Sequence, residues 1–157
     1  MTFWTKTYSL EQEQLIPKGR QEVFRFFSDA FNLQALTPGF LNFQILTEPP
    51  IDIQQGTLID YRISLFGIPM NWRTRIERFE TDNMFVDEQI RGPYTLWHHT
   101  HTFEDVPEGT LMRDIVKYRL PLGPLGLIAH FLFVRRTLRQ IFQYRYDSLE
   151  RLMGEIA

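Results

Sequence analysis

Near its C-terminus the chain reads LGLIAHFLFVRRTLRQIFQYRYDSLERLM, residues Leu125–Met153. Apolar side chains recur here, mostly three or four residues apart, at Leu127, Phe131, Val134, Leu138, Ile141, Phe142, Leu149 and Leu152. This spacing predicts a helix with one apolar stripe. Because no proline or further glycine interrupts it, a helix over Gly126–Met153 would be about 42 Å long. The rest of the chain must therefore provide a long apolar surface to cover that stripe.

The preceding residues predict such a surface, in the form of a sheet. A first strand, Tyr8–Ile16, is followed by two short helices, Gly19–Ser28 and Asp29–Leu36. Six further strands are predicted at Phe43–Thr47, Thr57–Phe66, Met70–Phe79, Met84–Arg91, Leu96–Val106 and Thr110–Leu120. Hairpin-length turns between successive strands indicate an antiparallel meander. The sequence therefore predicts an α+β fold in which residues 1–157 form a single domain.

Composition limits the classes of function. The net charge of −2 and an isoelectric point near 6.1 argue against a nucleic-acid-binding protein, which would carry a basic surface. The chain has no cysteine, so disulfides and thiolate metal sites are excluded. No signal peptide or membrane span is predicted, and we expect a soluble, cytoplasmic protein. Fourteen Phe, six Tyr and three Trp residues indicate either a solid aromatic core or a cavity lined by aromatic rings.

The order of elements, together with particular residues, resembles the SRPBCC superfamily. This superfamily includes START lipid-binding domains, plant pathogenesis-related allergens and polyketide cyclase/dehydrase-like proteins, and the chain is most similar to a group of uncharacterised bacterial members. The matching residues are Glu13–Pro17, Val23–Asp29, Asn32-Leu33, Leu36–Pro38, Leu41–Phe43, Phe85–Gln89, Gly92–Tyr94, Trp97–Glu104 and Gly109-Thr110.

The resemblance implies a helix-grip fold, in which a curved antiparallel sheet of about seven strands wraps round the long C-terminal helix. The two short helices after the first strand would close one end. It also implies a cavity between the concave face of the sheet and the long helix. Because the fold hosts binding proteins and enzymes alike, the function has to be argued from the residues of the site.

Three of the four histidines lie within Trp97-His-His-Thr-His-Thr-Phe103. Residues two apart on a strand share a face, so His99 and His101 are expected beside Trp97 and Phe103, facing the cavity. A metal ion would need a third protein ligand, for which Asp87, Glu88 or Asp114 are candidates. The sequence favours structural histidines, or a hydrogen bond to a ligand, over a metal site. It predicts no cofactor.

Asp114 is the single carboxylate among the inward residues of its strand, which also carries Met112, Val116 and Tyr118. A buried carboxylate needs a partner or a proton, and His99 or His101 could pair with it. Such a pair is a candidate acid–base unit, although a structural ion pair is favoured. On the strand Phe85–Arg91 the inward face is ambiguous, and hydrophobicity slightly favours Phe85 and Asp87 pointing outwards.

These considerations give three hypotheses for the function. The first is binding of a small hydrophobic molecule, such as a lipid, polyketide or aromatic metabolite. The predicted ligand-binding residues are Tyr61, Trp72, Trp97, His99, His101, Asp114, Tyr118 and Phe131. The second is a cyclase- or dehydratase-like enzyme that uses His99, His101 and Asp114 as acid–base groups. The third is an interaction module in which Leu125–Val134, apolar nearly all round and followed by arginines, makes transient contact with a membrane surface or a protein partner.

Overall fold

A computed structural model describes residues 5–154. Its sheet contains seven strands, and alternating burial along them separates an inward from an outward face. The strands are β1 (Thr7–Ile16), β2 (Gln44–Ile45), β3 (Leu58–Leu65), β4 (Ile68–Glu80), β5 (Met84–Arg91), β6 (Leu96–Val106) and β7 (Gly109–Arg119). Six of the seven lie close to their predicted bounds. The second was predicted over Phe43–Thr47 but pairs with β3 over only two residues.

The strand order is β1-β7-β6-β5-β4-β3-β2, and every neighbouring pair is antiparallel. The first strand therefore pairs with the last, and the remaining strands follow as a meander. This confirms the predicted antiparallel sheet. The β4–β5 pair shifts register twice, between Arg73 and Thr74 and between Ile76 and Arg78. Such bulges bend a sheet and change which side chains point inwards.

The helices also follow the predicted order. Two short helices, α1 (Arg20–Phe27) and α2 (Asn32–Ala35), lie between β1 and β2, and a 3₁₀ turn at Gly39–Leu41 follows them. The long helix consists of α3 (Pro124–Ala129), a π-helical turn (His130–Val134) and α4 (Arg135–Met153). The fold is therefore the predicted α+β helix-grip, with the difference that the long helix contains a π-helical turn. No helix in residues 5–154 is both long and apolar enough to cross a membrane.

Aromatic packing closes one end of the space between sheet and helix. On α1, Val23, Phe24 and Phe27 are buried, and Phe24 makes an edge contact with Phe103 on β6 at 5.3 Å between ring centroids. The same cluster takes in Leu149 and Met153 from the end of α4. This solid core fixes the end of α4 against the sheet.

Two glutamines of β1 hold α4 along the edge of the sheet. The side chain of Gln14 donates to the carbonyl oxygen of Tyr146 at 2.9 Å, and that of Gln12 donates to the carbonyl oxygen of Phe142 at 3.3 Å. At the start of the long helix, a Cβ atom on Gly126 would overlap the carbonyl oxygen of Pro121. The missing side chain thus lets the helix begin close to the end of β7.

Candidate functional site

A partly open cavity of about 190 Å³ lies between the sheet and the long helix. Its walls come from the inward faces of β3 to β6, from Leu138, Ile141 and Phe142 on α4, and from the region of the two short helices. Trp72 and Trp97 meet edge to face at 5.3 Å between ring centroids and form part of the wall. The interior is therefore not packed solid, and its lining is predominantly aromatic and aliphatic.

One end of the cavity carries a cluster of charged and polar side chains. Asp87, His99 and His101 line the cavity, and Asp114 lies behind the two histidines. The Nε2 atom of His99 is 2.7 Å from Oδ1 of Asp114, and Nδ1 of His101 is 3.0 Å from the same oxygen. The Nε2 atom of His101 is 2.6 Å from Oδ2 of Asp87. The two carboxylates thus bracket the two imidazole rings, whose centroids are 3.8 Å apart.

Strand register brings these groups together from distant parts of the sequence. His101 pairs with Asp114 across β6 and β7, and His99 pairs with Asp87 across β5 and β6. Directly opposite residues on one face of a sheet have Cβ atoms about 5 Å apart, within reach of a hydrogen bond between their side chains. The sequence order Asp87, His99, His101, Asp114 therefore becomes one compact site across three adjacent strands.

Arg145 of α4 completes the cluster from the helix side. Its side chain is only 7% exposed, and Nε lies 3.3 Å from Oδ2 of Asp114. Its guanidinium group also sits over the ring of Phe27 at 5.1 Å. A buried carboxylate needs a compensating charge, and Arg145 provides one for Asp114.

These contacts shift the pKa values of the cluster in different directions. Burial alone would raise the pKa of Asp114, but the charge of Arg145 and hydrogen bonds from His101 and His99 hold it well below its usual range. The pKa of Asp87 is also lowered against its burial, by the charge of His99 and a hydrogen bond from His101. Burial alone would lower the pKa of His101, but hydrogen bonds to Asp114 and Asp87 raise it. Burial and the adjacent His101 lower the pKa of His99.

The resulting charge distribution is balanced. Two ionised carboxylates face the Arg145 cation and the histidine that holds a proton most readily, His101. His99 is then neutral, with one ring nitrogen directed at Asp114 and the other towards Asp87 at 3.8 Å. The cavity therefore ends in groups that can donate or accept a hydrogen bond, or accept a proton.

The structure places the predicted ligand-binding residues in three different positions. Tyr61, Trp72, Trp97, His99 and His101 line the cavity. Asp114 supports the two histidines from behind without lining the cavity. Tyr118 and Phe131 lie instead beside a separate groove between β1 and the long helix.

Phe131 points away from the cavity because the neighbouring His130 takes the buried position. The His130 ring stacks on Tyr8 at 3.5 Å between centroids, and its Nε2 atom is 2.7 Å from the hydroxyl of Tyr118. Phe131 is left 79% exposed. The predicted stripe is therefore wrong by one residue at this turn of the helix.

Two important residues of the site, Asp87 and Arg145, are not among the eight predicted ligand-binding residues. Asp87 points inwards together with Phe85, so the slight preference for the opposite orientation of this strand was wrong. Phe85 and Val86, on opposite faces of this strand, are both buried, so the burial of apolar side chains does not distinguish its two faces. Arg145 was missed because it is a charged residue within the apolar stripe, between Phe142 and Leu149 at helical spacing.

An exposed apolar surface extends over the first part of the long helix. This apolar patch is formed by Phe66, Ile68, Leu122, Leu125, Ile128, Phe131, Leu132 and Phe133, each at least half exposed. Phe66, at the turn between β3 and β4, makes an edge contact with Phe133 at 5.9 Å. Three exposed arginines, Arg135, Arg136 and Arg139, follow directly along the helix.

Known structures share this architecture across almost the whole chain. A crystal structure of a protein from Chromobacterium violaceum matches with a TM-score of 0.72 at 15% identity, covering 95% of this chain and 99% of that chain. A protein of unknown function from Staphylococcus aureus matches with a TM-score of 0.70 at 13% identity, covering 94% and 93%. Ginseng major latex-like protein 151 from Panax ginseng matches with a TM-score of 0.56 at 13% identity, covering 85% and 96%. At these identities the likeness concerns the fold alone.

Sequence comparison identifies the family. No curated protein matches the chain significantly. The sequence model of a family described as polyketide cyclase / dehydrase and lipid transport matches residues 16–144, which is most of the chain. The chain therefore belongs to this family, and with it to the SRPBCC superfamily.

Proposed function

We propose that the protein binds a small hydrophobic molecule with at least one oxygen-bearing group in the cavity between the sheet and the long helix. The observation that carries this proposal is the cavity itself, which is apolar along its walls and polar at one end. Ligand sites in proteins have this character, with a mostly apolar lining and a few convergent polar groups that fix orientation. The family and the fold are compatible with ligand binding.

The size of the cavity limits the ligand. A cavity of about 150 Å³ lined by aliphatic and aromatic side chains accommodates benzene, whereas drug-sized ligands occupy about 300–1,000 Å³. At about 190 Å³ this cavity suits a molecule of one or two rings, or a short acyl chain. A small polyketide or aromatic metabolite fits this limit better than a long-chain lipid.

The polar end of the cavity favours a carbonyl or hydroxyl group on the ligand. Asp87 can accept a hydrogen bond from a hydroxyl while it remains paired with His101, and His101 can donate to a carbonyl in place of one of its two carboxylate contacts. A pure hydrocarbon makes neither hydrogen bond. We therefore expect an oxygenated compound to bind more tightly than the hydrocarbon of the same shape.

A fluorescence titration with 2-naphthol tests this proposal, because Trp72 and Trp97 report directly from the cavity wall. We expect saturable quenching, and at least about tenfold weaker binding by naphthalene, since one well-placed hydrogen bond contributes about 1.5 kcal/mol. Ala30 is buried in the cavity wall, so Ala30→Phe should abolish binding. Ala35 lies nearby but is exposed, so Ala35→Phe is the matched control. Equal binding by both variants would reject the cavity as the binding site.

An enzymatic function is the second candidate, and one observation favours it. His99, His101 and Asp114 form one hydrogen-bonded group, and the two histidines line the cavity. A histidine held by a carboxylate can remove a proton next to a carbonyl group, the first step of an aldol-type cyclisation or a dehydration. The bound substrate would be a ketone whose acidic carbon lies beside His99.

Proton exchange in a bound ketone tests the enzymatic candidate. In D₂O with a chelator present, we expect the protein to accelerate deuterium incorporation at the α-carbon of 1-tetralone. His99→Gln should lose this acceleration, and His98→Gln should keep it, because His98 lies on the outer face beside Glu77. Binding of 1-tetralone without faster exchange would reject the enzymatic candidate and leave ligand binding intact.

Contact with an anionic membrane surface is the third candidate, favoured by the apolar patch and the adjacent arginines. Exposed patches of this kind mark interaction sites, and flanking cations attract anionic lipid. Sedimentation with vesicles of phosphatidylglycerol and phosphatidylcholine should show binding that falls at least about tenfold in Phe131→Ser/Phe133→Ser. Leu152→Ser, an exposed position at the other end of the helix, is the control. Unchanged sedimentation of the double variant would reject membrane contact through this patch.

A further inference from the structure

We propose that Asp87, His99 and His101 form a binding site for one divalent transition-metal ion at the polar end of the cavity. Each residue offers one donor atom, and the three atoms lie within 4.8 Å of one another. The inference goes beyond the binding of an organic ligand, because a metal ion can occupy this site whether or not the rest of the cavity is filled.

The spacing of the donor atoms is close to that of a metal site. In such sites nitrogen and oxygen donors about 2.0–2.1 Å from the ion lie about 3 Å from each other. Here Oδ2 of Asp87 is 2.6 Å from Nε2 of His101 and 3.8 Å from Nδ1 of His99. One distance is shorter and the other longer than required, so the three side chains have to shift slightly to hold an ion.

Asp114 directs the two imidazole rings towards this position. Its Oδ1 atom accepts from Nε2 of His99 at 2.7 Å and from Nδ1 of His101 at 3.0 Å. With these nitrogens carrying the hydrogens, the other nitrogen of His99 presents a lone pair towards Asp87, and that of His101 does so once an ion displaces its proton. A carboxylate that orients metal-binding histidines through their second nitrogen is a common arrangement around metal ions. Arg145 in turn fixes Asp114 at 3.3 Å.

The second ring nitrogen of His99 faces Asp87. Its Nδ1 atom lies 3.8 Å from Oδ2 of Asp87, too far for a hydrogen bond between them. A lone pair that faces an anionic oxygen at this distance is unfavourable unless a cation or a proton lies between them. A divalent ion at this point would contact both atoms.

The donor set indicates which ions would bind. Two imidazole nitrogens and one carboxylate oxygen suit Fe²⁺, Co²⁺ or Zn²⁺, whereas Mg²⁺ and Ca²⁺ prefer oxygen ligands alone. Three protein ligands leave coordination positions open, and these positions face the cavity because all three residues line it. The site would therefore accept an oxygen atom of a ligand, such as a carbonyl or enolate, in addition to the protein donors.

Metal titration of the full chain, free of any affinity tag and treated with a chelator, tests this proposal. We expect calorimetry with Zn²⁺ to show one ion per chain, and Co²⁺ to give ligand-field absorption bands. Asp87→Asn, His99→Gln and His101→Gln should each weaken Zn²⁺ binding at least about 100-fold, and Asp114→Asn about 10- to 100-fold. His98→Gln should bind as the natural chain does.

His98 is a stringent control because it also pairs with a carboxylate, Glu77, at 2.8 Å. Circular dichroism establishes that each variant is folded, and the Co²⁺ spectrum of the natural chain needs no variant at all. The proposal is overturned if the natural chain binds neither ion, or if His99→Gln and His101→Gln bind as tightly as His98→Gln does. Failure here with intact 2-naphthol binding would reject the metal site alone.

Discussion

The two halves of the long helix differ sharply in what covers them. In α4, Leu138, Phe142 and Leu149 are at most 5% exposed, and this half carries Arg145 into the charged cluster. In the first half, which comprises α3 and the π-helical turn, Phe131, Leu132 and Phe133 are more than half exposed. Both halves are rich in apolar residues. Apolar composition alone therefore does not determine burial in this helix, and position against the sheet does.

The difference separates the roles of the two halves. The second half holds the fold together and forms one wall of the cavity. The first half contributes little apolar area to the core, and leaves its side chains available to solvent or to a partner. Substitutions in the second half should therefore act on stability, and those in the first half on interactions.

Removal of the Arg145 charge should have the largest effect on stability. Arg145→Met leaves the buried Asp114 carboxylate without its cation, and loss of one partner from a buried ion pair costs about 3–5 kcal/mol. Urea denaturation should show this loss in the free energy of unfolding. Arg139→Met, on the exposed face of the same helix, should change it by less than about 0.5 kcal/mol.

A double variant sharpens this prediction. Asp114→Asn removes the charge that Arg145→Met leaves unpaired, so the combination should be less destabilised than the sum of the single variants. Strict additivity would mean that the two residues do not interact across the 3.3 Å contact. The ion pair would then not be the reason for the buried position of Arg145.

Truncation of leucines compares the two halves directly. Leu149→Ala removes a side chain that is 1% exposed and should cost about 2–5 kcal/mol in the free energy of unfolding. Leu132→Ala removes the same atoms from a side chain that is 55% exposed, and should cost less than about 1 kcal/mol. Thermal or urea denaturation measures both values. A similar cost for the two would contradict the assignment of the core to the second half.

The smallest predicted effect is a pH dependence of local stability around His130. This residue anchors the first half of the long helix to Tyr8 and Tyr118. Burial and the nearby charges of Arg135 and Lys6 lower the pKa of His130. Its contribution to stability is therefore complete above the unfolded pKa of about 6.5, and is lost as the pH falls towards the folded value. Protonation would also remove the acceptor for the Tyr118 hydroxyl.

Hydrogen exchange measures this effect locally. Between pH 7.5 and 5.5, corrected exchange rates should rise more in residues 124–134 than in 135–153. His130→Gln should remove the difference between the two halves, because glutamine can accept the same hydrogen bond and does not titrate. An equal rise in both halves of the natural chain would mean that His130 does not anchor the first half.

Much of the fold could be predicted from the sequence, because its patterns are regular. Alternation assigned the inward faces of β6 and β7, and the absence of helix breakers predicted the long helix. The same alternation placed His99, His101 and Asp114 on one side of the sheet. These assignments need only the two-residue period of a strand and the apolar character of neighbouring residues.

The remaining parts depend on interactions that no local pattern contains. Arg145 lies on the buried face because Asp114, far away in sequence, supplies its counter-charge. His130 replaces Phe131 in the buried position because Tyr8 and Tyr118 provide a stacking surface and a hydrogen bond. Asp87 points inwards because His101 on the neighbouring strand pairs with its carboxylate. Each exception brings a polar residue to a buried position.

A crystal structure of the protein grown with 2-naphthol tests the central claim most directly, since it shows which half of the helix holds the ligand. We predict that the rings lie in the cavity beside Trp72, Trp97 and Phe142 of the second half. The hydroxyl should lie within hydrogen-bonding distance of Asp87, His99 or His101. Density for 2-naphthol only in the open groove beside Phe131, or an empty or collapsed cavity at saturating ligand, would contradict the account.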